Sequence, residues 1–206
     1  MPRSDAVQSP VREGFAHVVD SLLEVSVAGS FSRVGHVVRR YLELWDDPAC
    51  LNGKTMIVTG GSSGIGQAAA ITLAALGAEV WLVGRNADRL HTAAKAAAAA
   101  RGGGRVHTAE VNLVNANEVS SFVDRVSSTN PALDALIHNA GALFPTYGVA
   151  DDGNGRLTEQ TLAVHVLAPF RLSRVLAPLL FSAQQSLIVT VASGGMYTQR
   201  FDLDHI

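Results

Sequence analysis

The chain has 206 residues, 48% of them hydrophobic, with a formal net charge of −2 at pH 7. That is enough chain to bury one core of ordinary size, and too apolar a composition for global disorder. The balanced charge argues against nucleic acid as a partner, which would call for a concentrated basic surface, and the single Cys50 excludes an internal disulfide or a multi-cysteine metal site, so no metal is expected.

Residues 1–11 are polar and carry acid as well as base, unlike a secretory signal. No apolar run reads as long enough to cross a bilayer. These features point to a cytoplasmic protein. Residues 1–50 form an amphipathic helical extension. Phe15, Val18, Val19, Leu22 and Leu23 share one helical face, and Phe31, Val34, Val37, Val38, Tyr41, Leu42 and Trp45 form a second stripe accompanied by Arg33, Arg39 and Arg40. Such helices can cover a sheet, make a homo-oligomer contact, or lie peripherally on a membrane. Pro48 and Asn52-Gly53 then break the pattern.

From 51 to 206 short apolar strands alternate with longer helical stretches, the mark of a parallel sheet covered on both faces. Strands are expected at 54–59, 79–83, 105–109, 133–138 and 186–191, and helices at 64–76, 86–101, 115–128 and 159–181. The loop through Pro145, Gly148, Gly153 and Gly155 leads to Thr158, which reads as the N-cap of the last helix. Five strands with right-handed crossovers give an α/β fold of Rossmann type, a doubly wound parallel sheet.

The first strand runs into Thr59-Gly60-Gly61-Ser62-Ser63-Gly64-Ile65-Gly66 and then a helix. A dinucleotide pyrophosphate needs backbone N–H groups at close range and a helix N-terminus pointing at it. Gly60 permits the tight turn, Gly64 lets backbone approach the phosphates, and Gly66 lets helix pack on strand. The second strand ends in Val83-Gly84-Arg85-Asn86. An acid there would bind the ribose hydroxyls of NAD, whereas a guanidinium pairs with an added phosphate, so NADP is favoured over NAD.

Thr59 to Gly66 matches the Thr-Gly-x-x-x-Gly-Ile-Gly motif of the short-chain dehydrogenase/reductase family. His138-Asn139-Ala140-Gly141 resembles its Asn-Asn-Ala-Gly, with His138 in the first place, and Ala192-Ser193-Gly194-Gly195 resembles its catalytic-serine segment. The resemblance covers about 51–206, and the helical extension with the run from Ser193 to Met196 is similar to the branch of dehydrogenase/reductase member twelve. It implies cofactor contacts from Thr59, Gly60, Ser62, Ser63, Gly64, Ile65, Gly66, Arg85, Asn86, Asn112, Leu113, Asn139, Ala140 and Gly141. Asn112 stands where the family carries an aspartate against the adenine.

The resemblance also implies hydride transfer between a nicotinamide and a small-molecule carbonyl or secondary alcohol, with lipophilic substrates favoured. In the family a tyrosine moves the proton, a lysine four residues later lowers its pKa, a serine holds the substrate oxygen, and a helical asparagine supports a proton relay. Ser193 matches the serine. His165 takes the asparagine's place, where a buried histidine satisfied by its neighbours is the alternative reading. No Tyr-x-x-x-Lys occurs, since Tyr41, Tyr147 and Tyr197 all lack the lysine. The resemblance puts that motif, one helix and the last two strands beyond Ile206. The chain alone is therefore expected to be inactive, with an apolar face and a sheet edge open to association. A non-catalytic NADP-binding module and an inactive truncated gene product are the alternatives.

Overall fold

A computed structural model describes residues 18, 19, 36–38, 40, 49–100 and 102–193. The chain divides into two units, Met1–Pro48 and Ala49–Ile206. In the first unit the described residues are all helical. The rest of the two amphipathic helices expected there lies outside the described residues, as do 194–206, including Tyr197.

The second unit holds seven strands among its described residues: β1 Thr55–Thr59, β2 Glu79–Gly84, β3 Val106–Glu110, β4 Ala135–His138, β5 Val149–Asp151, β6 Leu157–Glu159 and β7 Leu187–Thr190. Five form one sheet in the order β3-β2-β1-β4-β7, every pair parallel. The reversal of direction at β1 is the doubly wound topology expected from the sequence. Central β1 is buried at all five positions, as its unbroken apolar run requires of a strand covered on both faces.

The helices between strands are α1 Gly64–Ala75, α2 Ala87–Ala98 and α3 Ala116–Thr129. Period-two alternation splits the core. Met56 and Val58 of β1 face α1 and α2 through Ala70, Ala74, Leu90 and Ala93. Ile57 faces the other side, with Val119, Phe122, Leu172 and Leu176. Asn86 and Asn115 start α2 and α3 by accepting from the backbone N–H groups of Arg89 at 2.9 Å and Asn117 at 3.0 Å.

The loop after β4 departs from expectation. Residues Val149–Asp151 and Leu157–Glu159 pair antiparallel as a small hairpin, so Thr158 sits inside β6 and does not cap a helix. Glu159 is the cap, accepting from Thr161 N–H at 2.9 Å and Leu162 N–H at 2.8 Å. These bonds to the charged form hold its carboxyl below the usual range. The helix it opens, α4, runs Gln160–Ser182. It contains a π-helical turn at Ala163–Leu167.

Helix α4 also corrects the expectation about apolar length. Its 23 residues include an 18-residue stretch of mean hydropathy 1.4, long and apolar enough to cross a membrane by composition alone. One face packs on the sheet through the buried Leu172, Leu176 and Leu180, and 22% of the apolar stretch is buried. Its far side is open: Phe170 is 66% exposed and Phe181 86%. Strand β7 pairs with β4 on one side, and all four of its residues are exposed.

Candidate cofactor and active site

The carboxyl ends of β1, β2, β3 and β4 converge on a cleft of about 300 Å³ lined by Gly60, Ser62, Ser63, Arg85, Asn112, Leu113, Asn139, Ala140 and Gly141, expected from the sequence as cofactor contacts, together with Gly84. Ligands bind open parallel sheets at such a point, because the chain leaves adjacent strands in opposite directions and opens a crevice.

The crevice is held by a lock between the first and fourth strands. The Thr59 hydroxyl donates to the Ile137 carbonyl at 3.2 Å and accepts from the Asn139 and Ala140 N–H groups at 3.0 and 3.1 Å. The Asn139 side-chain amide donates to the Thr59 and Gly60 carbonyls at 3.1 and 3.2 Å. Thr59, only 1% exposed, is therefore a strap beneath the loop and does not line the cleft. Gly60 adopts φ 65°, a left-handed turn that glycine alone takes without strain. Gly66 is buried, and a Cβ there would lie 2.5 Å from the Gly60 carbonyl oxygen and against the Asn139 amide. Its smallness thus lets α1 close on the loop after β1 and on Asn139, just past the end of β4. A Cβ on Gly64 would meet nothing within 4 Å, which leaves the space above the start of α1 open for phosphate oxygens. This cradle fits a dinucleotide.

Gly64, Ile65, Gly66 and Asn86 do not line the cleft; Ile65 is 68% exposed, and Asn86 serves as a helix cap. The Asn112 side-chain oxygen accepts from Val114 N–H at 3.2 Å, so it braces its own turn. Arg89, in the first turn of α2, also lines the cleft and was missed. Val111, Val114, Ala142 and Val164 complete the lining.

His165 is exposed, which sets aside the buried reading, and it lies in the π-helical turn. In the tautomer with its proton on Nε2, the ring donates to the Ala142 carbonyl at 2.9 Å, and it lies against Gly141. Ser193 is exposed beyond the end of β7 and does not line the cleft. Tyr147, 81% exposed, packs on nothing that would bury it. His138, in contrast, is buried at 5% exposure with Nε2 2.8 Å from Ser173 Oγ. Burial lowers its pKa. Among the described residues no group of acids, histidines and cysteine forms a metal site.

A doubly wound sheet with a glycine cradle at its switch point defines a dinucleotide-binding protein of Rossmann type. The family model for short chain dehydrogenases matches residues 54–201, and the chain belongs to that family. It is 32% identical over 192 residues to dehydrogenase/reductase SDR family member 13 of Homo sapiens, covering 89% of this chain and 48% of that protein. It is 32% identical over 152 residues to SDR family member 12 of Bos taurus, covering 74% and 46%, in keeping with the branch expected. Among solved structures it resembles L-sorbose reductase from Gluconobacter frateurii complexed with NADPH and L-sorbose, with TM-score 0.59, 31% identity, and coverage of 72% and 55%. The chain spans about half the length of the curated relatives it matches.

Proposed function

We propose that this chain forms the cofactor-holding half of an NADP-dependent oxidoreductase acting on a small-molecule carbonyl or secondary alcohol. The observation that carries the reading is the charge of the cleft, whose lining includes Arg85 and Arg89 and no carboxylate. A site for NAD uses an acid after the second strand to hold the ribose hydroxyls, and that acid would repel a phosphate. Here Gly84 occupies the end of β2 and two guanidinium groups follow it, a pairing suited to a phosphate dianion.

When bound, the nicotinamide supplies or accepts the hydride. The residues of this chain bind and orient. The glycine loop and the start of α1 take the pyrophosphate, Arg85 and Arg89 take the ribose phosphate, and Ser193 holds the substrate oxygen. His165 acts as a positioning residue, because its Nε2 proton is spent on Ala142. No Tyr-x-x-x-Lys lies within these 206 residues to move the proton. That absence favours a second reading, in which this chain alone binds NADP without turning it over.

Fluorescence titration of the full chain with NADPH and NADH tests both. NADPH is expected to bind more tightly. Arg85→Ala should remove about 1.5–3 kcal/mol of that preference, the range for a hydrogen bond to a charged group. Equal affinities, or a preference untouched by Arg85→Ala and Arg89→Ala together, would sink the assignment. Carbonyl reduction by the purified chain would refute the second reading.

A further inference from the structure

A second hollow of about 270 Å³ lies apart from the glycine loop, where the β5–β6 hairpin meets α4. Arg156 from the hairpin and Arg171 and Arg174 from α4 line it, with Asp152 the single carboxylate among them. Arg171 and Arg174 are the only Asp, Glu, Lys or Arg residues in the 23 of α4, and both fall at this hollow.

Asp152 is already committed. Its carboxylate accepts from Asn154 N–H at 2.9 Å and from Arg156 N–H and Arg171 Nη2, each at 3.4 Å. The Arg171 guanidinium also donates from Nη1 to the Val114 carbonyl at 2.7 Å. By contrast, the Arg156 and Arg174 guanidiniums form no hydrogen bond or ion pair with any described residue. Three cations against one anion leave two positive charges facing the hollow. Apart from Thr158 the remaining wall is apolar, with Ala150, Leu167 and Phe170, the last 66% exposed.

We propose that this hollow binds a phosphate monoester. The dianion balances the two excess charges, guanidinium forks match its oxygens, and the apolar wall takes the ester carbon. A carboxylate would neutralise only one of the two. The same chemistry is offered by a soluble phosphate ester and by a phosphatidic acid headgroup.

The full chain, saturated with NADPH so that the glycine cleft is filled, is titrated with phenyl phosphate and with inorganic phosphate by calorimetry. Phenyl phosphate should bind more tightly than inorganic phosphate. Arg156→Gln with Arg174→Gln should weaken it at least about tenfold, the loss of one charge-assisted hydrogen bond. Both arginines are exposed and bonded to no described side chain, so the variant should keep the parent's thermal midpoint and its NADPH affinity. Arg85→Ala, with NADPH raised until its weakened cleft is again filled, should leave phenyl phosphate binding unchanged. Co-sedimentation with phosphatidylcholine vesicles, with and without phosphatidic acid, separates the sources. Binding to the acidic vesicles that the double variant loses assigns a lipid headgroup, and binding of phenyl phosphate without vesicle binding assigns a soluble ester. Binding to neither, or binding that survives the double substitution or vanishes with Arg85→Ala, overturns the proposal.

Discussion

Gly66→Ala separates a loop that merely turns from one that is packed into shape. The added Cβ would lie 2.5 Å from the Gly60 carbonyl oxygen and 3.0 Å from its carbon, both backbone atoms. Neither can swing aside. The Gly60 carbonyl accepts from the Asn139 amide at 3.2 Å, and Gly60 N–H donates to the Val83 carbonyl at 2.8 Å. Relief requires the whole glycine loop to shift, and one inserted methyl of this kind costs about 1–3 kcal/mol. For a protein of this size that lowers the thermal midpoint by about 2–12 °C. The displaced N–H groups should also cost most of the NADPH affinity, because backbone donors bind phosphate only at close range. Gly103→Ala supplies the control. Gly103 has φ 70° with nothing within 4 Å of an added Cβ, so alanine there carries only the left-handed penalty of about 1–2 kcal/mol. It lies in the turn before β3, outside the cleft. Thermal denaturation and NADPH titration of both variants are therefore expected to show similar losses of stability, with binding lost only in Gly66→Ala. If Gly66→Ala binds NADPH as the parent does, packing at Gly66 does not shape the cofactor site and the reasoning fails.

Two further outcomes follow from burial. His138 is neutral in the fold because burial lowers its pKa from the ordinary 6.5, so the unfolded chain takes up the proton first. Its contribution to stability is then complete above that value and falls as pH drops below it. Urea midpoints between pH 8 and 5 should decline less in His138→Gln than in the parent, and parallel curves would refute this. Phe170, Phe181 and Leu187 are 66%, 86% and 59% exposed on α4 and the β7 edge. The chain should therefore self-associate in sedimentation velocity, and Phe181→Glu with Leu187→Glu should reduce it; a monomeric parent chain would refute the open-face reading.

Sequence patterning was enough to read the sheet and its glycine loop because both rest on local rules. Apolar runs such as 56–58 and 80–83 fit a doubly covered strand, and glycines between strand and helix have few structural uses. The hairpin at 149–159 was hidden for the converse reason. Its strands have three residues each, too short for a period to register, and Gly153 and Gly155 at φ 86° and 82° read as loop. The π-helical turn at Ala163–Leu167 has no sequence mark either. Arg89 was overlooked because it lies in α2, whose helical pattern accounts for it without a ligand. Thr59 and Asn112 show what motif positions do besides meeting a ligand. Both occupy motif positions, yet their side-chain oxygens are used in bracing the chain at the cleft.

The hidden hairpin matters because it braces one wall of the cofactor cleft. Val114 lines both hollows. Its carbonyl is held at 2.7 Å by Arg171, and the next helix begins with Ala116 N–H donating to the Asp152 carbonyl at 2.7 Å. The turn carrying Asn112 and Leu113 is thus fixed on one side by the sheet, through Val111 N–H to the Gly84 carbonyl at 2.8 Å. On the other side it is fixed by the hairpin and α4. A motif match at 112–113 says which residues meet a nucleotide only when that turn is held. In this chain, the holding falls to an arginine and a hairpin that lie outside the matched motifs.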